Sequence, residues 1–130
     1  MYVVGGTDEA PTTAFIRKFD PLGEPLWHDR LSSSLPVLAT GVAANSEGVV
    51  LSGTGGDLSG GPASDPEGFV RGYDTDGGAL FTTYLSTSGS TEATGVAASG
   101  DAVFVGGDTD GMFPGQWLHS DRDEFVARAA

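Results

Sequence analysis

The segment Ala14-Phe15-Ile16-Arg17-Lys18-Phe19-Asp20 returns, 54 positions further on, as Gly68-Phe69-Val70-Arg71-Gly72-Tyr73-Asp74. The same 54-residue offset carries Leu26-Trp27 through Leu31 onto Leu80-Phe81 through Leu85, and Ala39-Thr40-Gly41-Val42-Ala43-Ala44 onto Ala93-Thr94-Gly95-Val96-Ala97-Ala98. Val103-Phe104-Val105-Gly106-Gly107 matches Val49-Val50-Leu51-Ser52-Gly53 and, earlier, Tyr2-Val3-Val4-Gly5-Gly6. Landmarks sharing one period are the mark of a repeat architecture, in which each unit buries its apolar surface against its neighbours.

Each repeat reads as four short strands, because its apolar runs are β-branched or aromatic and are punctuated by Gly, Pro, Asp and Asn. In the complete repeat they are A (Thr40 to Ala44), B (Val49 to Gly53), C (Phe69 to Asp74) and D (Leu80 to Leu85). Asn45-Ser46-Glu47-Gly48 and Ser99-Gly100-Asp101 turn A into B, while Asp20-Pro21-Leu22-Gly23 and Asp74-Thr75-Asp76-Gly77-Gly78 turn C into D. Glycine and Asn or Asp at such places accept the positive φ that tight turns need. Four-stranded hairpin units at this spacing point to the blades of a β-propeller. Strand A favours that reading over a sandwich or solenoid. Its Gly41, Ala43 and Ala44 have poor strand propensity but suit the crowded axis where blades converge. Phe15, Phe19, Phe69, Tyr73, Leu31 and Leu85 would fill the layers between blades, with Trp27, Phe81 and Tyr84 supplying outer bulk.

The expected fold class is therefore all-β, a β-propeller segment of about two and a half antiparallel blades and ten strands, not a closed ring by itself. Its parts are a partial blade over 1–31, a full blade over 39–85 and a partial blade over 93–130. The first would lack its inner strand and the last its outer one, leaving two exposed apolar end faces that invite association. The chain thus reads as a piece of a longer ring or as a subunit that assembles with copies of itself.

Eighteen acidic residues against 6 basic ones give a net charge of −12, spread along the chain. That field repels nucleic acid and anionic membrane. Lys18 is the one lysine, and this basic usage with abundant Gly, Ala, Asp and Thr fits a high-salt organism or a GC-rich genome. Without cysteine there is no disulfide framework and no thiolate chemistry. No stretch approaches the ~20 apolar residues of a membrane-spanning helix, and any export signal is expected outside this chain.

The pattern Phe-Val-(Ala/Arg)-x-x-Asp, a Gly turn, Leu-Trp, then Ala-Thr-Gly-Val-Ala and Val-x-Val-x-Gly resembles the bacterial and archaeal SBBP repeat, a β-propeller repeat. Its best stretches are Ala14 to Leu31, Gly68 to Leu85, and Asp108-Thr109-Asp110-Gly111-Met112-Phe113-Pro114-Gly115 leading to Phe125-Val126-Ala127. The resemblance implies a large, secreted or surface-associated, usually seven-bladed protein with no family-wide catalytic residues. One departure is the first B–C connection, Asp8 to Thr13, which is much shorter than the second, Gly55 to Glu67.

No residue stands out as catalytic, cofactor-binding or metal-ligating. His28 and His119 fall at non-equivalent repeat positions and read as surface histidines. No serine sits in a nucleophile elbow. Asp74-x-Asp76-Gly77 and Asp108-x-Asp110-Gly111 look like the front of a Ca²⁺ loop but suit a tight turn or solvated surface better. Asp121-Arg122-Asp123-Glu124 would flank a cation or form a carboxylate pair for glycoside hydrolysis, yet it occurs in one repeat and reads as a solvated loop before strand C. Gly53-Thr54-Gly55-Gly56 and Gly60-Gly61 lack the lysine of a phosphate loop and read as linker glycines. Trp117, near Met112, Phe113 and Pro114, is an apolar cluster that would anchor a ligand or pack on a blade edge.

The function expected from this is a non-enzymatic repeat module of a secreted or surface protein, a scaffold or adhesion surface for protein or carbohydrate ligands. A fragment of a carbohydrate-active propeller hydrolase with its catalytic residues elsewhere, and a subunit of a homo-oligomeric ring or filament, are the alternatives. Neither nucleic acid nor membrane insertion is expected.

Overall fold

In the computed structural model, the described residues are 1–7, 12–45, 48–56, 58, 66–85, 91–99, 102–109 and 123–128, with backbone alone for Asn45, Ser99, Ala102 and 123–128. They form ten strands: β1 (Tyr2–Gly6), β2 (Ala14–Phe19), β3 (Pro25–Leu31), β4 (Leu38–Asn45), β5 (Gly48–Gly55), β6 (Glu67–Asp74), β7 (Ala79–Leu85), β8 (Thr91–Ser99), β9 (Ala102–Thr109) and β10 (Asp123–Arg128). Among the described residues there is no helix. Neighbours in sequence pair antiparallel, giving sheet 1 (β1-β2-β3), sheet 2 (β4-β5-β6-β7) and sheet 3 (β8-β9-β10), and the sheets do not close into a ring. Strands run one or two residues beyond the expected bounds at several ends. Gly53 and Gly55 are therefore buried inside β5 and are not linker.

The 54-residue period governs geometry as well as composition. The β2–β3 ladder shifts register between Lys18 and Phe19, and the β6–β7 ladder shifts between the equivalent Gly72 and Tyr73. Likewise β4–β5 shifts between Ala39 and Gly41, and β8–β9 between Ala93 and Gly95. Such bulges re-aim a strand, and sheet 2 shares one with sheet 1 and the other with sheet 3. The C–D turns also coincide. The Asp20 carboxylate accepts from the amides of Leu22 and Glu24, and that of Asp74 from the amides of Asp76 and Gly78. Both turns place a glycine at positive φ, Gly23 at 85° and Gly77 at 91°, where a Cβ would be strained. The Val37 amide donates to the Thr12 carbonyl as the equivalent Thr91 amide donates to that of Pro66.

The pairing register moves one detail of the sequence alignment. Gly5 lies opposite Phe15 and Gly53 opposite Phe69, so Gly5, not Gly6, is the counterpart of Gly53. Phe125 is opposite Gly107 in the third copy. The reason is steric. A Cβ on Gly5 would lie 2.9 Å from the Phe15 ring, and one on Gly53 would lie 2.7 Å from the Phe69 ring and 2.5 Å from the Leu38 carbonyl oxygen. Each ring covers a bare stretch of neighbouring strand, an aromatic–glycine pairing that pins register.

Sheet 2 is buried on both faces. Towards sheet 1 it presents Val49, Leu51, Phe69 and Tyr73, which pack with Ala14, Ile16, Leu31 and Val37 and with the partly buried Trp27. On the other side Val50, Val70 and Leu85 pack with Ala93, Val103 and Val105 of sheet 3. This explains why β5, GVVLSGTG, is buried throughout except at the partly buried Thr54, while β3 alternates exposed and covered positions. Phe15 and Phe19, expected as interlayer fillers, are instead half-buried. They lie on the face of sheet 1 away from sheet 2. Small residues are needed where β4 meets β8: a Cβ on Gly41 would stand 3.1 Å from Ser52 Oγ and 3.4 Å from the Gly95 Cα.

Candidate functional site

Alternation along β6 aims Phe69, Arg71 and Tyr73 at sheet 1, and alternation along β3 aims Trp27, Asp29 and Leu31 at sheet 2. The result is a polar cluster between two apolar layers. The Tyr73 hydroxyl donates to Asp29 Oδ2 at 2.7 Å and accepts from Arg71 Nε at 3.0 Å. Arg71 Nη1 also donates to Thr82 Oγ1 at 2.6 Å, and its Nε lies 3.9 Å from the Asp29 carboxylate. The guanidinium sits over the Tyr73 ring, 5.3 Å from its centroid.

Aromatic and backbone contacts flank this cluster. Trp27 packs at 5.5 Å between centroids on Tyr73 and at 6.1 Å on Tyr2. Its indole N–H donates to the Thr75 carbonyl at 3.1 Å, and Lys18 Nζ donates to the same oxygen at 2.9 Å. Both bonds run from sheet 1 to the C–D turn of sheet 2.

Burial above all, then the hydrogen bond to Asp29 and its negative charge, push the Tyr73 phenol well above its ordinary pKa; Arg71 acts in the opposite direction. A phenol held neutral with its donor and acceptor both engaged is suited to locking two sheets in register. It stays protonated at neutral pH. No buried side-chain polar atom among the described residues lacks a partner, so the cluster meets the requirement that buried polar networks be complete.

The residues singled out by sequence do not gather into one site. His28 lies on β3 opposite Arg17, exposed, on the face away from Asp29. Asp74 spends its carboxylate on two amides of its own turn, which is the turn reading of Asp74-x-Asp76-Gly77. Asp108 lies within β9, opposite Glu92 and Glu124 and not in a turn, and Asp123 and Glu124 belong to β10 and not to a preceding loop. Acidic residues opposed across strands repel. Among the described residues no group of three or more His, Asp or Glu is placed to hold a metal ion. His119, Asp110, Gly111, Asp121, Arg122, Gly60, Gly61 and the Met112, Phe113, Pro114 and Trp117 cluster lie outside the described residues.

Sequence reasoning missed the Asp29–Tyr73–Arg71 cluster. Its signal is Arg71 and Tyr73 two apart on one strand face, with a single acidic residue at the centre of strand D. The repeat gives Asp29 the counterpart Thr83 and Arg71 the counterpart Ala127, so the network belongs to one sheet–sheet junction.

No protein-family model matches the chain, and no curated protein is detectably similar in sequence.

Proposed function

We propose that the chain is a non-enzymatic β-propeller repeat module, each sheet a blade, that serves a secreted or surface protein as scaffold and binding surface. The observation that carries this reading is the recurrence, at 54 residues, of bulges and turns, together with a glycine–phenylalanine pairing in every B–C ladder and the burial of β5 and β6 between the outer sheets. A four-stranded sheet between two three-stranded ones of the same repeat, with A strands approaching at Gly41 and Gly95, is consistent with blades around an axis. The resemblance to SBBP repeats supports the same architecture and the extracellular setting. The B–C connections vary while the strands repeat, the division of labour expected when loops on a rigid scaffold carry recognition.

The test is a glycan array, with the labelled chain applied alongside a variant whose 57–65 segment is shortened to the length of the first B–C connection. Binding to a defined glycan class by the parent, lost in the variant while its unfolding midpoint stays within a few degrees, supports recognition through the loops. Binding that survives the shortening contradicts it, and turnover of any arrayed glycan contradicts the non-enzymatic reading.

A further inference from the structure

The two end faces of the stack each duplicate half of a junction inside the molecule. On sheet 1, the face away from sheet 2 carries Val3, Phe15, Arg17 and Phe19. Repeat and register give them the positions of Leu51, Phe69, Arg71 and Tyr73, the residues that sheet 2 presses onto sheet 1. Yet Val3 is 38% exposed where Leu51 is 0% exposed.

On sheet 3, the face away from sheet 2 carries Gly95, Ala97 and Phe104, counterparts of Gly41, Ala43 and Val50, which sheet 2 turns towards sheet 3. Phe104 is 41% exposed where Val50 is 3% exposed. A Cβ on Gly95 would meet nothing within 4 Å, whereas one on Gly41 would meet the next sheet.

Charge separates the ends in the same sense. Arg17 and Arg30 lie on the sheet 1 face, and Asp108 shares the sheet 3 face with Phe104 by alternation, with Glu92 opposite it across the strands.

We propose that these faces are the two halves of one interface, so that the sheet 1 end of one copy of this chain docks on the sheet 3 end of a second copy, head to tail. The proposal rests on the stacked-blade reading above. Such an interface is heterologous, so it propagates into a ring or an open row instead of stopping at a symmetric dimer. The net charge of −12 opposes association at low salt, so the contact strengthens as salt screens it.

The test uses the whole chain in molar NaCl, with mass read by sedimentation over a range of concentrations. The parent is expected above its 13.2 kDa monomer mass, rising with concentration. Phe15→Glu blocks one end and Phe104→Glu the other, so each variant alone is expected as a monomer. Their equimolar mixture is expected to double in mass, because one intact sheet 1 face then meets one intact sheet 3 face. Since the Phe15 ring also covers Gly5, Arg17→Glu is run in parallel as a blocker that leaves that pairing in place.

A parent that stays monomeric, a Phe104→Glu chain that still dimerises through sheet 1 alone, or a mixture that does not pair overturns the proposal. Hydrogen exchange on the same samples separates the two readings. Protected β5 and β6 amides in a monomer leave the stack standing and remove the interface, whereas unprotected ones remove the stack itself.

Discussion

The two junctions of sheet 2 occupy equivalent places in the repeat and are made of different chemistry. Towards sheet 3 the buried contact is aliphatic, Val50, Val70, Leu85, Ala93, Val103 and Val105, with the partly buried Phe81 packed against it and glycines where β4 and β8 touch. Towards sheet 1 it is aromatic and polar, with Phe69, Tyr73 and Trp27 around the Asp29–Tyr73–Arg71 bonds. The first junction rests mainly on apolar area removed from water, with the Thr91 and Thr54 hydroxyls bonding backbone groups across it. In the second, the hydrogen bonds of Asp29, Tyr73 and Arg71 add directional side-chain contacts to the buried area. A repeat therefore preserves the shape of its junctions while leaving their chemistry free to diverge.

The sharpest way to break this contrast is to cut one side chain on each face of β6. Phe69→Ala removes a ring that is fully buried and roofs Gly53, and is expected to cost about 3–5 kcal/mol. Val70→Ala, the adjacent residue facing sheet 3, is expected to cost about 2 kcal/mol from its lost methyls and the small cavity left. Urea unfolding checks both, and equal costs would contradict the assignment of faces.

Next come the glycines. Gly53→Ala drives a methyl into the Leu38 carbonyl oxygen and the Phe69 ring, and an overpacking cost of about 1–3 kcal/mol is expected. Gly95→Ala meets open space and is expected to leave the unfolding midpoint of the isolated chain nearly unchanged. A large loss at Gly95 would show a neighbour on the face described as open.

A smaller effect is expected at the polar junction. Tyr73→Phe removes one hydroxyl and leaves Asp29 and Arg71 short of a partner, costing about 1–2 kcal/mol. It also changes the alkaline limb. Because the folded state holds the Tyr73 proton above the ordinary pKa of 10.0, its contribution is complete below pH 10 and declines as pH rises past that value. The parent is therefore expected to lose stability above pH 10 more steeply than Tyr73→Phe, with one tyrosine resisting ionisation in absorbance titration until the chain unfolds. Superimposable alkaline limbs would contradict the buried phenol.

The smallest effect is global. Raising salt screens the self-repulsion of a chain of net charge −12, so the thermal midpoint is expected to climb with NaCl. The slope should be the same in the parent and in Val70→Ala, because the aliphatic junction carries no charge. A flat response would assign the acidity to genome composition.

The ten strands and their grouping were legible because one period aligned Phe15 with Phe69 and Gly41 with Gly95, and turn residues punctuated every run. Register in sheet 1 was less so: two adjacent glycines, Gly5 and Gly6, fit the same pattern, and only the Phe15 ring decides between them. Asp29 and Tyr73 meet 44 positions apart, a distance unrelated to the period. Self-similarity says which residues are equivalent and not which ones touch, so the polar cluster stayed hidden. Asp108 shows the same thing: the reading as tight turn or solvated surface covers a string of which Asp108 itself lies in β9. Its Asp-x-Asp-Gly string copies the C–D turn at Asp74, but Asp108 and Thr109 end β9, and Asp110 and Gly111 lie outside the described residues.

Sheet 2 is the inner layer of a stack, covered by sheet 1 on one face and sheet 3 on the other. Residue-resolved native-state hydrogen exchange tests this arrangement most directly. The β5 and β6 amides, paired on both edges and covered on both faces, are expected to exchange only through global opening, with β1, β3 and β9 opening more readily. If β5 and β6 exchange as fast as β1 and β3, the middle layer is not covered and the stacked architecture is wrong.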